Sequence, residues 1–146
     1  MSVEENKALV RRVVEEIWNQ GKVELVDALL APDYVNHTPA PSFGPDREGY
    51  KQFLLSTHRS FPDVHFTVEY MVAEDDVVVF RLTFTGTNTG DNVNFPATGK
   101  SAKFPAFEML RIRDGKVVEE WGVSDFLGMW VQLGLFPAPH RQTATV

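Results

Sequence analysis

The 146 residues contain no cysteine. That excludes a disulfide framework and any thiolate chemistry. Histidine is scarce, with four in the chain. No two of them sit at metal-ligand spacing, and there is no H-E-x-x-H cluster. No apolar run is long enough to cross a membrane, and the N-terminus leads straight into a charged helix rather than a signal peptide, so a cytoplasmic protein is expected. Basic residues are in the minority: 14 Lys and Arg against 20 Asp and Glu give a net charge of -6. This argues against nucleic-acid binding through a basic surface. Gly86-Thr87-Asn88-Thr89-Gly90 carries two glycines but not a phosphate-loop pattern, and no helix follows it. A G-x-S-x-G nucleophile elbow is also missing. What remains is an acid/base site without a metal or cofactor.

The composition is that of an ordinary globular chain, 43% hydrophobic and 23% charged. Its length suits one domain with a sizeable core, read here as residues 1–136, followed by a loose tail over 137–146. Ser2 and Glu5 form a capping-box pattern, and Val10, Val13, Val14 and Ile17 then recur at helical spacing up to about Gln20. A shorter helix runs from Val23 to Leu30, and Asp33 to His37 reads as a short extended segment. Three prolines and a glycine between Thr38 and Pro45 exclude regular structure there. A third helix starts after Asp46, with Tyr50, Phe53, Leu54 and Thr57 on one side.

From Val64 the hydrophobic period changes to two. Val64 to Val72, Val77 to Thr85, Lys103 to Arg113 and Lys116 to Phe126 read as strands. Gly86 to Ala102 reads as a long polar loop of the kind that forms a lid or a pocket rim. Leu127 to Leu133 can form one or two helical turns. The order of elements implies an α+β fold, with helices on one side of a mainly antiparallel sheet.

Asp114-Gly115 is the strongest hairpin signal in the chain. A two-residue turn there sets Arg113 opposite Lys116. Simple counting then places Leu110 opposite Glu119, Glu108 opposite Trp121 and Phe104 opposite Asp125. The more apolar face would carry Glu108, Trp121 and Asp125, and it should meet the helices. Carboxylates on such a face are either satisfied by local donors or line a cavity, where desolvation makes them useful acids or bases. In this register Glu108 and Asp125 stand roughly 13 Å apart, too far for a tight dyad. Asp125 is therefore read as a lone acid/base. His37, at the end of the short extended segment, suits a pocket mouth.

Several motifs together resemble the SnoaL-like polyketide cyclases of the NTF2-like superfamily. They are Tyr34-Val35-Asn36-His37, Phe61-Pro62-Asp63, Gly86-Thr87-Asn88-Thr89-Gly90, Pro96-Ala97-Thr98-Gly99-Lys100, Asp114 to Trp121, Asp125 and Gln132-Leu133-Gly134. The resemblance implies a cone-shaped (cystatin-like) α+β fold around a pocket. It implies a homodimer or homotetramer formed through the outer sheet face. It also implies cofactor-free aldol ring closure of a small hydrophobic carbonyl compound, with Asp125 as general acid/base. His37, Glu108, Trp121, Trp18, Tyr34 and Phe53 are the expected substrate-binding residues. Two positions depart from the usual pattern: Glu120 stands where the family has the His of Glu-His-Trp, and Asn88 where it has the His of Gly-Thr-His. A non-catalytic binder of small hydrophobic ligands, or a related isomerase or hydrolase, is the alternative.

Overall fold

The computed structural model describes residues 1–137. Apart from Pro137, the expected tail lies outside the described residues. Helix α1 (Val3–Arg12) starts at a complete capping box: Ser2 Oγ accepts from Glu5 N at 3.1 Å, and Glu5 Oε2 accepts from Ser2 N at 3.0 Å. The helix continues as a wider π-helical stretch from Val13 to Asn19. Gly21, at φ +71°, then takes the left-handed conformation that ends it. A short 3₁₀ turn (Val23–Leu25) leads into α2 (Val26–Leu29). Helix α3 (Arg47–Ser60) is capped by Asp46, whose Oδ1 accepts from Gly49 N at 2.8 Å.

Five strands form one sheet, one more than the four-strand pattern. They are β1 (Leu30–Asn36), β2 (His65–Glu74), β3 (Val77–Thr87), β4 (Ser101–Arg113) and β5 (Lys116–Ser124), in the spatial order β1-β5-β4-β3-β2. The extended segment before the proline-rich loop is the added edge strand. It runs parallel to β5, pairing Val35 with Glu119 and Asn36 with Glu120. The other three pairings are antiparallel. Helix α4 (Phe126–Gln132) closes one end.

One sheet face packs against the helices. Val10, Ile17, Val26, Leu54, Val78 and Val117 are fully buried in that interface. A second cluster, including Phe61, Phe84, Phe104 and Met129, continues it toward α4. The long loop is shorter than the polar pattern suggests, because β3 extends to Thr87 and β4 starts at Ser101. Asn88 organises it from a fully buried position. Its Nδ2 donates to Gly90 O at 2.9 Å, and its Oδ1 accepts from both the N and the Oγ1 of Thr98 at 2.9 Å. A buried amide with its polar atoms satisfied fixes a loop that is otherwise short of apolar contacts.

Candidate active site

The β4–β5 hairpin decides which side chains face the helices. Its tip is as the turn signal implies: Asp114 and Gly115 both have positive φ, and Arg113 pairs with Lys116. Beyond Ile112–Val117 the register shifts, and Arg111 pairs with Glu119. Val118 is the additional residue of a β-bulge, and both Val117 and Val118 are buried. This corrects the register obtained by simple counting. Leu110 lies opposite Glu120, and Glu108 lies opposite Gly122. A one-residue shift exchanges the two faces of a strand. Glu120, Gly122 and Ser124 therefore face the helices, and Trp121 and Val123 face away.

A cavity of about 170 Å³ lies between this sheet face and the helices. Trp18, Tyr50, Glu108 and Glu120 line one part of it, and Phe61, Phe66, Phe84, Phe104 and Phe126 another. Val13, Val14 and Trp18 of the π-helical stretch all reach it. Pro41 and Phe43 from the proline-rich loop, with Asn94 and Phe95 from the Asn88 loop, complete its rim. The two loops are tied together: Asn94 Nδ2 donates to Pro41 O at 2.9 Å, and Ser42 Oγ donates to Asn94 Oδ1 at 2.8 Å.

Glu108 and Glu120 are diagonal neighbours on the same face, a relation that puts Cα atoms roughly 7–8 Å apart. Both are half-buried by surface area because they front the cavity, yet protein atoms enclose them closely enough to strip most of their hydration. Desolvation accordingly pushes both carboxyls up, and the charge of Glu120 pushes Glu108 further, well above the usual carboxylate range. The Tyr34 hydroxyl donates to Glu120 Oε2 and pulls that group back down. The two acids therefore differ in their surroundings: the Tyr34 hydrogen bond favours the ionised form of Glu120, and the charge of Glu120 opposes ionisation of Glu108. Among the described residues, no side chain or backbone group hydrogen-bonds the Glu108 carboxyl. It lies against Gly122, where a Cβ atom would come within 2.0 Å of Glu108 Oε2.

The expected site residues divide into three groups. Trp18, Phe53 and Glu108 line the cavity. Tyr34 is buried behind Glu120 and holds it in place. His37, Trp121 and Asp125 do not line it. His37 and Trp121 stack on each other at 4.6 Å, with His37 exposed and Trp121 on the outward side of β5 beneath the Arg111 guanidinium. Asp125 is exposed, follows the last residue of β5, and caps α4 by accepting from Gly128 N at 2.9 Å. The bulge turns Trp121 outward, whereas Asp125 leaves the sheet because β5 ends at Ser124 and the chain turns there into α4. Glu120 and Tyr50 are the residues that counting missed. The adjacent valines 117 and 118, which break a period of two, were the available signal for Glu120. Among the described residues, no three His, Asp or Glu side chains converge as a metal-binding group, and no helix is long and apolar enough to cross a membrane.

The geometry can be set beside known proteins. The family model for SnoaL-like polyketide cyclase matches residues 8–133. The chain is 30% identical over 137 residues to aklanonic acid methyl ester cyclase DauD of Streptomyces sp. (strain C5), covering 90% of this chain and 84% of that protein. It shows the same identity over the same length to aklanonic acid methyl ester cyclase DnrD of Streptomyces peucetius, covering 93% of that protein. The structure of TsrD from Streptomyces laurentii superposes with a TM-score of 0.83 at 26% identity, covering 93% of this chain and 99% of that one.

Proposed function

This chain belongs to the SnoaL-like polyketide cyclase family, and from that premise we propose that it closes a ring in a hydrophobic carbonyl compound by acid/base catalysis, using Glu120 as base and Glu108 as acid. Members of the family act on small polyketides, and the aromatic lining of the cavity suits such a molecule. The observation that carries the assignment is a pair of carboxyls facing one cavity in unlike surroundings, Glu120 hydrogen-bonded by Tyr34 and Glu108 without a hydrogen-bond partner among the described residues. Two titratable groups whose surroundings drive their pKa values apart mark out a base and an acid. Glu120, charged and steadied by Tyr34, takes a proton from the carbon next to one carbonyl. The resulting enolate carbon bonds to a second carbonyl carbon, and the oxygen of that carbonyl takes the Glu108 proton. One proton has entered at Glu120 and one has left at Glu108. Transfer between these neighbours restores the starting state.

Aklanonic acid methyl ester is the first compound to try, since two relatives carry its name. Glu120→Gln keeps the volume and the oxygen facing Tyr34 but removes the base. Turnover should fall by about 10²- to 10⁴-fold. Undiminished turnover in that variant refutes the assignment. A wild-type protein that binds such esters and converts none of them is a ligand-binding protein instead.

We also propose that the outward sheet face associates with a second copy. Tyr70, Phe107 and Val123 are 69%, 55% and 74% exposed. They fall on one cross-strand row, joined through Arg81. Exposed aromatic and aliphatic groups aligned in this way mark a contact surface.

A further inference from the structure

The geometry points to Tyr50 as the hydrogen-bond donor that holds the reacting carbonyl oxygen while it carries enolate charge. This rests on the acid/base reading above and adds to it the stabilisation of the intermediate.

Two tyrosines stand side by side at the carboxyl part of the cavity, with ring centroids 5.7 Å apart and planes at 88°. Their hydroxyl protons are used differently. The Tyr34 proton is committed to Glu120. The Tyr50 hydroxyl instead accepts a hydrogen bond, from Trp18 Nε1 at 2.5 Å. A phenol has one proton to give and lone pairs to receive. Among the described residues, no acceptor takes the Tyr50 proton. A buried hydroxyl left without an acceptor is costly, so a donor held in this state is suited to an acceptor brought in by a ligand. Tyr50 lines the cavity together with Glu108 and Glu120.

Its surroundings fit the task. The Trp18 indole packs against the Tyr50 ring at 5.4 Å and 65°, so the N–H contact and the ring contact fix the phenol together. Donation from Trp18 polarises the Tyr50 O–H and makes it a stronger donor. Burial, with the nearby charge of Glu120, keeps the phenol protonated. It therefore acts by hydrogen bonding rather than by proton transfer. When Glu120 removes the carbon-bound proton, the electron pair of the broken C–H bond shifts toward the carbonyl oxygen. Tyr50 holds that oxygen with its own O–H bond intact. When the enolate carbon forms the new C–C bond, the pair leaves the oxygen again. A fixed donor aimed at developing charge in a water-poor site is the usual source of such stabilisation. Glu108 stays free to protonate the second oxygen.

The test needs no turnover. 2-Naphthol serves as the probe, since its anion places an enolate-like oxygen on a flat aromatic body. Its two protonation states are distinguished by absorption. Bound 2-naphthol should ionise at a pH at least about one unit lower in wild type than in Tyr50→Phe, a tenfold or larger preference for the anion. Naphthalene, which lacks the oxygen, should bind both proteins equally. Trp18→Phe retains an aromatic ring but removes the N–H together with part of the indole, and it should show a smaller shift of the same sign; it also supplies the measurement if Tyr50→Phe does not fold. Equal ionisation of bound naphthol in wild type and both variants overturns the inference. So does a shift that disappears in Glu108→Gln while Tyr50 is intact, because Glu108 is then the donor. Failure here leaves the Glu120 assignment standing. Failure of Glu120→Gln to lower turnover leaves this measurement unaffected.

Discussion

Replacing Gly122 by alanine should separate the placement of the acid from the stability of the fold. Gly122 lies opposite Glu108 on the cavity face, and its φ is not in the left-handed region, so the backbone accepts alanine. The added Cβ would stand 2.0 Å from Glu108 Oε2 and 2.6 Å from its Cδ. To reach an ordinary contact of 3.4 Å the carboxyl must withdraw by about 1.4 Å. The atoms that move are the far end of a flexible side chain facing a cavity, so the strand itself need not shift. Removing a glycine also restricts the unfolded chain, which favours folding by about 0.4–1 kcal/mol. The thermal midpoint should therefore stay level or rise slightly. Catalysis should respond in the opposite direction. A misplacement of about 1 Å can cost about 10²-fold in rate, equivalent to about 2.7 kcal/mol of barrier. The assay is steady-state kinetics beside a thermal melt, with KM expected to change less than kcat. A double-mutant cycle sharpens it: in a Glu108→Gln background, Gly122→Ala should cause little further loss, because both changes act on one carboxyl. Unchanged kcat in Gly122→Ala, or full additivity with Glu108→Gln, refutes the reasoning that Glu108 acts from its place over Gly122.

Three further predictions concern the same elements. Asp125→Asn should leave turnover within a few-fold and stability within about 0.5 kcal/mol, because asparagine caps a helix as well as aspartate does; a folded Asp125→Asn protein without activity would return the acid/base role to Asp125. The raised pKa of Glu108 makes folding pH-dependent in a definite sense. Between its ordinary value of 4.5 and its higher folded value the native state binds the extra proton, so stability declines as pH rises through that window. Glu108→Gln removes this slope, and its melting temperature should exceed that of wild type at alkaline pH by more than at pH 4; a constant difference across the range contradicts the shift. Val123→Lys, on the outward row with Phe107, should convert an associated form to the monomer in light scattering after size exclusion, and a wild type that is already monomeric removes the basis for the contact.

How much of this was legible in the sequence depends on the range of the interaction that decides each feature. The capping box at Ser2 and Glu5, the cap at Asp46 and the turn at Asp114-Gly115 are local, and each appears where the residues place it. The edge strand β1 was visible as an extended segment. Its parallel pairing with β5 was not, because its partner lies more than 80 residues away along the chain. The continuation of α1 from Val13 to Asn19 reads as ordinary helix, since a π-helical stretch differs in hydrogen bonding and not in residue type.

The face that fronts the cavity was lost at a single residue. A bulge changes the parity of every position beyond it, so an error at Val118 exchanged Glu119, Trp121 and Val123 for Glu120, Gly122 and Ser124. The three inward residues also misled by their character. Glutamate, glycine and serine look like a solvent face, and counting from the turn without the bulge puts them on the less apolar side. They fit an inward face only if that face surrounds empty space instead of filling a core. Glycine at 122 leaves room for the Glu108 carboxyl, and serine at 124 adds little bulk beside the cavity. The large apolar groups that close the space come from elsewhere: Trp18 from the π-helical stretch, Tyr50 and Phe53 from α3, and Phe104 from β4. A strand whose small and acidic residues alternate with Trp121 and Val123 thus encodes a hollow on one side and an outward apolar row on the other. Which side is which is set by the bulge, and the tyrosine donor that steadies Glu120 stands far away in the sequence at Tyr34.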